Sequence, residues 1–267
     1  MGVNKEGGGY TFLFAAIMVI VTGASLAMVS LTLKPDIKKN EADKKMIDIL
    51  GSINVTEATR ENAAKLFTEY VKERIVLDDQ GNVVSSMEGA VDPQNPADPF
   101  NVDVQKEYKQ KISKLVQAYK NDRSTLLAKV DEQNVNYPLF RCERDGKQYF
   151  VIPMVGTGLW GPIWGYVALE SDMSTVYGAS FDHKTETPGL GAEIKEPMFE
   201  DQFQGESIYD NGTYVSIDVK KGGSPADDKH AVDAITGGTI TSNGVDEMLY
   251  RTLAIYDNYF KKVRNNE

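Results

Sequence analysis

Three threonines and two adjacent glycines lie close together in the stretch DAITGGTITSNG, residues 233–244. A neutral threonine hydroxyl is a weak nucleophile unless a base activates it, and His230 is the nearest histidine in sequence. Self-modification is therefore disfavoured. Modification by a separate enzyme is better supported, because the glycines give access to Thr239 and Asp233 supplies an acid that can position a metal-bound donor. The plain alternative is an ordinary turn.

A second unusual stretch is TETPGLGAEI, residues 185–194. Its proline fixes one φ angle, and the two glycines of PGLG permit tight turning. A segment of this kind can wrap closely around a planar ring.

The stretch GTGLWG, residues 156–161, matches the G-x-G-x-x-G pattern, and Asp182 follows roughly 20 residues later. A dinucleotide site requires a helix directly after the glycines, so that its N-terminus can hold the pyrophosphate. Here Pro162 follows, and then a strand-like run. We therefore interpret the stretch as a glycine-rich hairpin rather than the nucleotide site of a dehydrogenase, with Trp160 and Trp164 packing on the core or on a flat ligand.

The elements that must position these stretches are mixed. Helical spacing predicts helices over 59–76, 104–119 and 244–263, and strands are predicted over 148–156, 161–171, 176–183 and 214–221. A hairpin is predicted with Gln80–Gly81 at its tip, and a loop with three prolines over 85–100. Because strands are followed by a terminal helix without regular alternation, the pattern indicates an α+β domain with a mainly antiparallel sheet and flanking helices.

The N-terminal part of the chain has an uncharged stretch, residues 10–33, of about 24 residues, and a helix needs roughly 20 to cross a bilayer. A cleaved signal peptide is the alternative, but its apolar region is usually shorter, about 7–15 residues. We therefore predict a transmembrane helix, surrounded by membrane lipid. The predicted division is a tail (1–9), the transmembrane helix (10–33), a juxtamembrane helix beginning beyond Pro35 (34–58) and a folded domain (59–267, with a core at about 150–258).

The composition favours a folded protein and argues against several classes of partner and site. The 267 residues are 41% apolar and 25% charged, which favours a buried core over general disorder. The net charge of −10 argues against a nucleic-acid partner. One cysteine excludes an internal disulfide, and the two histidines show no zinc spacing, so no metal site is predicted.

The threonine stretch resembles the flavinylation motif D-x-x-[S/T]-G-[A/G]-T-x-T of the FMN-binding domain family. Here the motif covers residues 233–241, with Gly238 where alanine is commoner. ETPGLG, residues 186–191, resembles a second signature of that family. The resemblance implies that Thr239 is joined to FMN through a phosphoester, by a dedicated flavin transferase that uses FAD.

With the apolar anchor, the leader LKPDIKKNEADKK (33–45) and GTGLWGPIWGYVAL (156–169), the whole chain resembles the C-subunit family of the Na⁺-translocating NADH:quinone oxidoreductases. The G subunits of the related Rnf complexes share both motifs but lack much of the insert at residues 60–145. The resemblance implies an electron carrier that is not catalytic alone, within a complex that oxidises NADH, reduces a quinone and exports Na⁺. Its partners would be the other subunits. A non-redox, membrane-anchored binding module is the competing class.

Orientation in the membrane gives conflicting signals. The positive-inside rule places the folded domain in the cytoplasm, whereas the resemblance implies the bacterial inner membrane with the domain in the periplasm. We follow the resemblance. The lysines behind the conflict follow the anchor: Lys34, Lys38, Lys39, Lys44 and Lys45.

The resemblance also implies a set of cofactor-binding residues, none of them catalytic. Thr239 carries FMN, while Asp233 and Thr236 shape the loop, Asp233 serving mainly the attachment step. Alternatives are that Thr236 only caps a turn, that Trp160 is a core residue and that Lys221 is solvated. The remaining residues would contact the flavin or its phosphate: Glu186, Thr187 and Leu190 at the ring or ribityl chain, Trp160 and Ile240 beside it, and Lys221 at the phosphodiester.

Overall fold

A computed structural model of the protein describes residues 8–93, 95–225 and 227–266. The chain divides into two compact units, Met1–Lys44 and Lys45–Glu267. The first helix, α1, spans Gly8–Ser52. Within the described residues, α1 is the one helix long and apolar enough to cross a membrane by length and composition. The predicted tail, apart from its last two residues, lies outside the described residues.

Two helices were predicted on either side of Pro35, but the structure has a single helix, α1, with Pro35 inside it. Proline removes one i→i−4 hydrogen bond and usually kinks or ends a helix. The long apolar run before Pro35 and the helix-forming residues after it are enough to continue the helix here. The juxtamembrane helix predicted to begin beyond Pro35 is therefore continuous with the apolar helix, and it ends at Ser52 rather than at residue 58.

The second unit is built on a sheet whose neighbouring strands are all antiparallel. Its strands, within the described residues, are β1 (Val71–Leu77), β2 (Val83–Glu88), β3 (Tyr137–Arg144), β4 (Lys147–Thr157), β5 (Pro162–Glu170) and β6 (Val176–His183). Their order is β2-β1-β3-β4-β5-β6. Two short pairs lie outside this sheet: β7 (Tyr209–Asp210) with β8 (Thr213–Tyr214), and β9 (Asp218–Lys220) with β10 (Ala231–Asp233), the last pair being parallel.

Helices flank the sheet, which confirms the predicted α+β class. Those described after α1 are α2 (Ala63–Tyr70), α3 (Val104–Glu107), α4 (Ser113–Ala118), α5 (Arg123–Val130), α6 (Pro197–Glu200) and α7 (Thr239–Asn266). A π-helical turn, Tyr108–Ile112, joins α3 to α4, so the helix predicted over 104–119 is present with one irregular turn.

The helix predicted over 59–76 is present only in part, because the chain changes from helix to strand at Val71. β-Branched residues such as Ile75 and Val76 favour the pleated surface of a sheet. Here Ile75 pairs with Leu139 of β3 and both side chains are buried. Pairing with a strand distant in sequence therefore outweighs the local helical spacing.

The terminal helix α7 packs on the sheet through its predicted apolar face. Val245, Met248, Leu249, Leu253 and Tyr256 are all fully or almost fully buried. The helix begins earlier than predicted, at Thr239 instead of Gly244. These contacts hold the start of α7 beside the end of β4.

Candidate functional site

The two sequence motifs meet at one open cleft with a volume of about 230 Å³. Three segments form it: the turn between β4 and β5, the loop that follows β6, and the first turn of α7 with the two glycines that precede it. Its lining residues are Leu159, Glu186, Thr187, Leu190, Gly191, Gly237, Gly238, Thr239, Ile240 and Thr241. Five of the sequence-predicted residues are therefore brought together: Glu186, Thr187, Leu190, Thr239 and Ile240.

Thr239 is the first residue of α7 and is partly exposed in the cleft. Residues at a helix start have backbone N–H groups without partners inside the helix, and they lie at the positive end of the helix dipole. The amide of Gly238 donates to Ile235 O at 3.0 Å, and the amide of Ser242 donates to Gly238 O at 2.9 Å. A negative phosphate attached to Thr239 would lie at a position that favours anions.

The loop before α7 is held in place by the helix itself. The Ile235 amide donates to Ser242 Oγ at 3.1 Å, and Gly237 has a positive φ of 78°. A left-handed residue at this point turns the chain sharply into the helix, which glycine does at least cost. The turn leaves Thr236 exposed and Thr239 in the cleft.

Glu186 lies at the floor of the cleft and is only 5% exposed. Its Oε1 accepts a hydrogen bond from the Trp160 amide at 2.8 Å, and its Oε2 accepts one from Thr241 Oγ1 at 2.6 Å. Its own amide donates to His183 Nδ1 at 3.1 Å. Both carboxylate oxygens therefore bind protein donors.

The charge of Glu186 is set by these contacts. Burial raises the pKa of the Glu186 carboxyl, but hydrogen bonds from Thr241 and from the amides of Trp160 and Leu159 together lower it by more. The net effect is a pKa below the ordinary glutamate value. The group is therefore a carboxylate at neutral pH, and it is compensated by donors from two other segments.

The GTGLWG stretch is a hairpin turn, as predicted. The Gly158 amide donates to Gly161 O at 2.8 Å, and β5 follows at once. A helix that could hold a pyrophosphate is absent at this point among the described residues, and the dinucleotide interpretation fails for that reason. Trp164 packs partly against the core, but the Trp160 side chain is 65% exposed and is not a core residue.

Four predicted residues lie outside the cleft lining: Trp160, which follows the lining residue Leu159, and Asp233, Thr236 and Lys221. Asp233, at the end of β10, accepts hydrogen bonds from the amide and hydroxyl of Ser224, which lower its pKa. Thr236 is exposed in the turn, and Lys221 is exposed just beyond β9. The loop-shaping role of Asp233 is consistent with its contacts, because it ties the 224 loop to the strand that leads into the motif.

Several lining residues were not predicted individually: Leu159, Gly191, Gly237, Gly238 and Thr241. Thr241 carried a usable signal, since it is the last threonine of the motif. Gly191 also carried one, because it is the last glycine of PGLG. Leu159 is an apolar residue in a hairpin turn, and the sequence held no signal for it.

The lining fits a flavin in three respects. Leu159, Leu190 and Ile240 supply exposed apolar side chains for a ring system. The start of α7 suits a phosphate, and the neighbouring glycines leave room for it. The cleft is smaller than the roughly 300–1,000 Å³ of pockets that enclose drug-sized ligands. A flavin held there would be only partly covered.

Comparison with known proteins bears on the same residues. Residues 158–254 match the family described as FMN-binding domain. The match begins in the β4–β5 turn and ends within α7. It therefore contains every residue that lines the cleft.

Longer similarities extend over most of the chain, and they include C subunits of Na⁺-translocating NADH-quinone reductases. The C subunit of Vibrio parahaemolyticus is 30% identical over 205 residues, covering 77% of this chain and 74% of the relative. That of Pasteurella multocida is 29% identical over 248 residues, covering 91% and 88%. A crystal structure of the C subunit from Parabacteroides distasonis gives a TM-score of 0.68 at 36% identity, covering 85% of this chain and 96% of that chain.

Proposed function

The chain belongs to the family of Na⁺-translocating NADH-quinone reductase C subunits, and from that premise we propose that it carries FMN covalently on Thr239 and passes electrons within such a complex. The observation that carries the proposal is the meeting of two motifs at one cleft, with the Thr239 hydroxyl at a helix start. The match of residues 158–254 to the FMN-binding domain supports it.

Attachment needs a donor of FMN and an external catalyst. Thr239 Oγ attacks the FMN-side phosphorus of FAD, a P–O bond of the pyrophosphate breaks, AMP leaves and the hydroxyl proton passes to a base of the flavin transferase. The step involves no net oxidation. A separate base is required because a neutral threonine hydroxyl is a weak nucleophile.

Once attached, FMN supplies the electron-transfer chemistry, and the protein supplies orientation and surroundings. The amides at the start of α7 would stabilise the phosphodiester charge. Leu159, Leu190 and Ile240 would offer apolar contacts to the ring and would exclude water from the side they cover. Thr187 in the lining, and the exposed indole of Trp160 beside the lining residue Leu159, would contact the remainder of the cofactor. Lys221 lies outside the cleft lining, so we propose that it acts on the phosphodiester as a distant positive charge and not as a direct ligand.

The proposed setting is the bacterial inner membrane, with residues 10–33 as the spanning segment and 59–267 in the periplasm. The exposed apolar side chains of α1 support an anchor in lipid. Residues 1–9 would be a cytoplasmic tail, and 34–58 would join anchor and domain. The partners would be the other subunits of the complex, which couples NADH oxidation and quinone reduction to Na⁺ export, and, during maturation, the flavin transferase. Alone, the chain would not be catalytic.

Attachment is tested by producing the full chain together with an active flavin transferase. Intact-mass analysis should show the added mass of FMN, less water, and the denatured band should fluoresce under ultraviolet light. Thr239→Ala should lose both signals, while Thr239→Ser and Thr236→Ala should retain them. A bare wild-type polypeptide, beside a second substrate that the same transferase has modified, would contradict the proposal.

Topology needs its own experiment. In intact spheroplasts, added protease should digest the folded domain. If the domain is digested only after the inner membrane is permeabilised, the periplasmic placement is wrong.

A further inference from the structure

The Glu186 carboxylate joins the three segments that form the cleft. It belongs to the loop after β6, and it accepts hydrogen bonds from Trp160 in the β4–β5 turn and from Thr241 in the first turn of α7. Thr241 is even less accessible than Glu186, at 1% exposure for the residue. One buried anion therefore links two sequence motifs and a hairpin.

Two glycines make room for this carboxylate. A Cβ on Gly158 would lie 2.6 Å from Glu186 Oε1. A Cβ on Gly191 would lie 2.6 Å from Glu186 Oε2 and 2.3 Å from Thr241 Oγ1. Neither position has space for any other residue while the hydrogen bonds remain. Gly158 of GTGLWG and Gly191 of PGLG thus both allow the backbone to approach a buried charge closely.

A carboxylate removed from water must be hydrogen-bonded, because an uncompensated buried charge is strongly unfavourable. The bond from Thr241 is therefore hard to break while Glu186 stays in place. Thr241 lies two residues beyond Thr239, in the same helical turn. Fixing Thr241 fixes the end of a helix that would otherwise tend to fray.

We infer that Glu186 is a positioning residue: acting through Thr241, it sets the first turn of α7 and the Thr239 hydroxyl against the β4–β5 turn before any flavin is attached. Its carboxylate is directed to protein donors and not to the ring or the ribityl chain. The inference rests on the proposed function only in taking Thr239 as the attachment site. That Glu186 organises the cleft can be tested on the flavin-free chain.

The test uses full-length, flavin-free protein in detergent micelles, with four single variants and one double variant. Thr241→Val removes the hydroxyl at similar size, Thr241→Ser keeps it, and Glu186→Gln removes the charge. Thr252→Val is the matched control, because Thr252 is a buried threonine of the same helix, away from the cleft. Hydrogen exchange is measured by mass spectrometry in 157–161 and 239–243, and attachment rates are then measured with transferase and saturating FAD.

Thr241→Val should speed exchange in both segments by about 10- to 100-fold, as expected for losing a hydrogen bond to a charged group. It should lower the attachment rate at saturating FAD similarly, at a temperature where the chain stays folded. Thr241→Ser should restore both, and Thr252→Val should change neither. Combining Thr241→Val with Glu186→Gln should be no worse than the more severe single variant, since the two act through one bond.

The inference would be overturned if Thr241→Val showed the same exchange and attachment rates as the wild type. Fully additive effects of the two substitutions in the double variant would also overturn it. If wild-type protein gains no flavin at all, the proposed function fails, while the exchange data still decide whether Glu186 organises the cleft. If Thr241→Val does not fold, Glu186→Gln is compared with Thr252→Val instead. Hydrogen exchange and attachment rate in these two variants then decide whether Glu186 is a positioning residue.

Discussion

Leu190 lies directly against Gly237: a Cβ placed on Gly237 would be 2.6 Å from Leu190 Cδ2. The contact joins the loop after β6 to the turn that leads into α7, so the two motifs touch at the cleft surface as well as at its floor. Space and backbone conformation both require glycine at this position, since its φ is +78°.

Gly237→Ala is expected to cost about 1–3 kcal/mol in the free energy of unfolding from backbone strain, and more from displacement of Leu190. Flavin attachment should slow because the turn before Thr239 must move. Gly212→Ala is the control, since Gly212 has a φ of +80° but open space around it. Thermal melts and attachment rates should show a loss of attachment in the first variant alone; equal attachment in both would contradict the contact.

Gly244→Ala tests the approach of α7 to β4. Alanine is the better helix former by about 1 kcal/mol, but a Cβ here would lie only 2.2 Å from the backbone oxygen of Thr157. The clash should outweigh the propensity, lower the melting temperature and loosen the cleft. Gly51→Ala in α1, where a Cβ meets nothing within 4 Å, should be neutral or stabilising. A more stable Gly244→Ala protein would refute the argument.

Asp98→Ala tests a buried ion pair that holds the proline-containing loop to the sheet. Arg74, only 1% exposed, donates to Asp98 at 2.9 and 2.8 Å and to Gly89 O at 2.6 Å. Removing the acid leaves a buried, unpaired guanidinium, and the expected loss is about 3–5 kcal/mol. In the control, Asp228→Ala, a partly exposed pair with Lys220 is lost, and the destabilisation should be much smaller. Denaturant unfolding distinguishes the two.

Glu200 should make stability depend on pH. Burial raises its pKa to about 7, and the carboxylates of Asp201, Asp48 and Asp182 add to the rise, although the Phe181 amide opposes it. Between the unfolded glutamate pKa, about 4.3, and this raised value, the folded state holds a proton that the unfolded state has released. The contribution of Glu200 to the free energy of unfolding therefore falls as pH rises through that window.

Glu200→Gln keeps an acceptor for the Phe181 amide and removes the charge. Its melting temperature should exceed that of the wild type at pH 8 by about 2–4 °C, the shift expected for about 1 kcal/mol in a domain of this size. The difference should vanish near pH 4. Glu61→Gln, at an exposed site, should show neither effect. A pH-independent difference would argue against ionisation as the cause.

Much of the fold followed from local patterns. The apolar face of α7, the hairpin at Gln80–Gly81 and the bounds of β6 were all predicted correctly, because each is specified by residues adjacent in sequence. Strand β3 was not predicted. Its alternation is obscured by Pro138 and by charged residues, and it is stabilised by pairing with β1, more than 60 positions earlier in the chain.

The sequence predicted which residues belong to the site better than it predicted how they are arranged. Resemblance to the FMN-binding domain family predicted Thr239, Leu190 and Ile240 as site residues, and the structure places all three in one cleft. It could not reveal that Glu186 is directed inward, since that depends on space left by Gly158 and Gly191 in separate segments. Nor could it show that Lys221 lies beyond the lining, which is decided by the packing of β9 and β10.

The shallowness of the cleft has a consequence for how tightly it must hold a flavin. A dissociable cofactor must be retained against dilution, and that demands extensive enclosure. A ligand tethered by a covalent bond stays near the surface at high effective concentration, whatever its amount in solution. With Thr239 as the tether, retention would no longer depend on affinity. The open side of the ring would then be free to meet another redox centre without risk of loss.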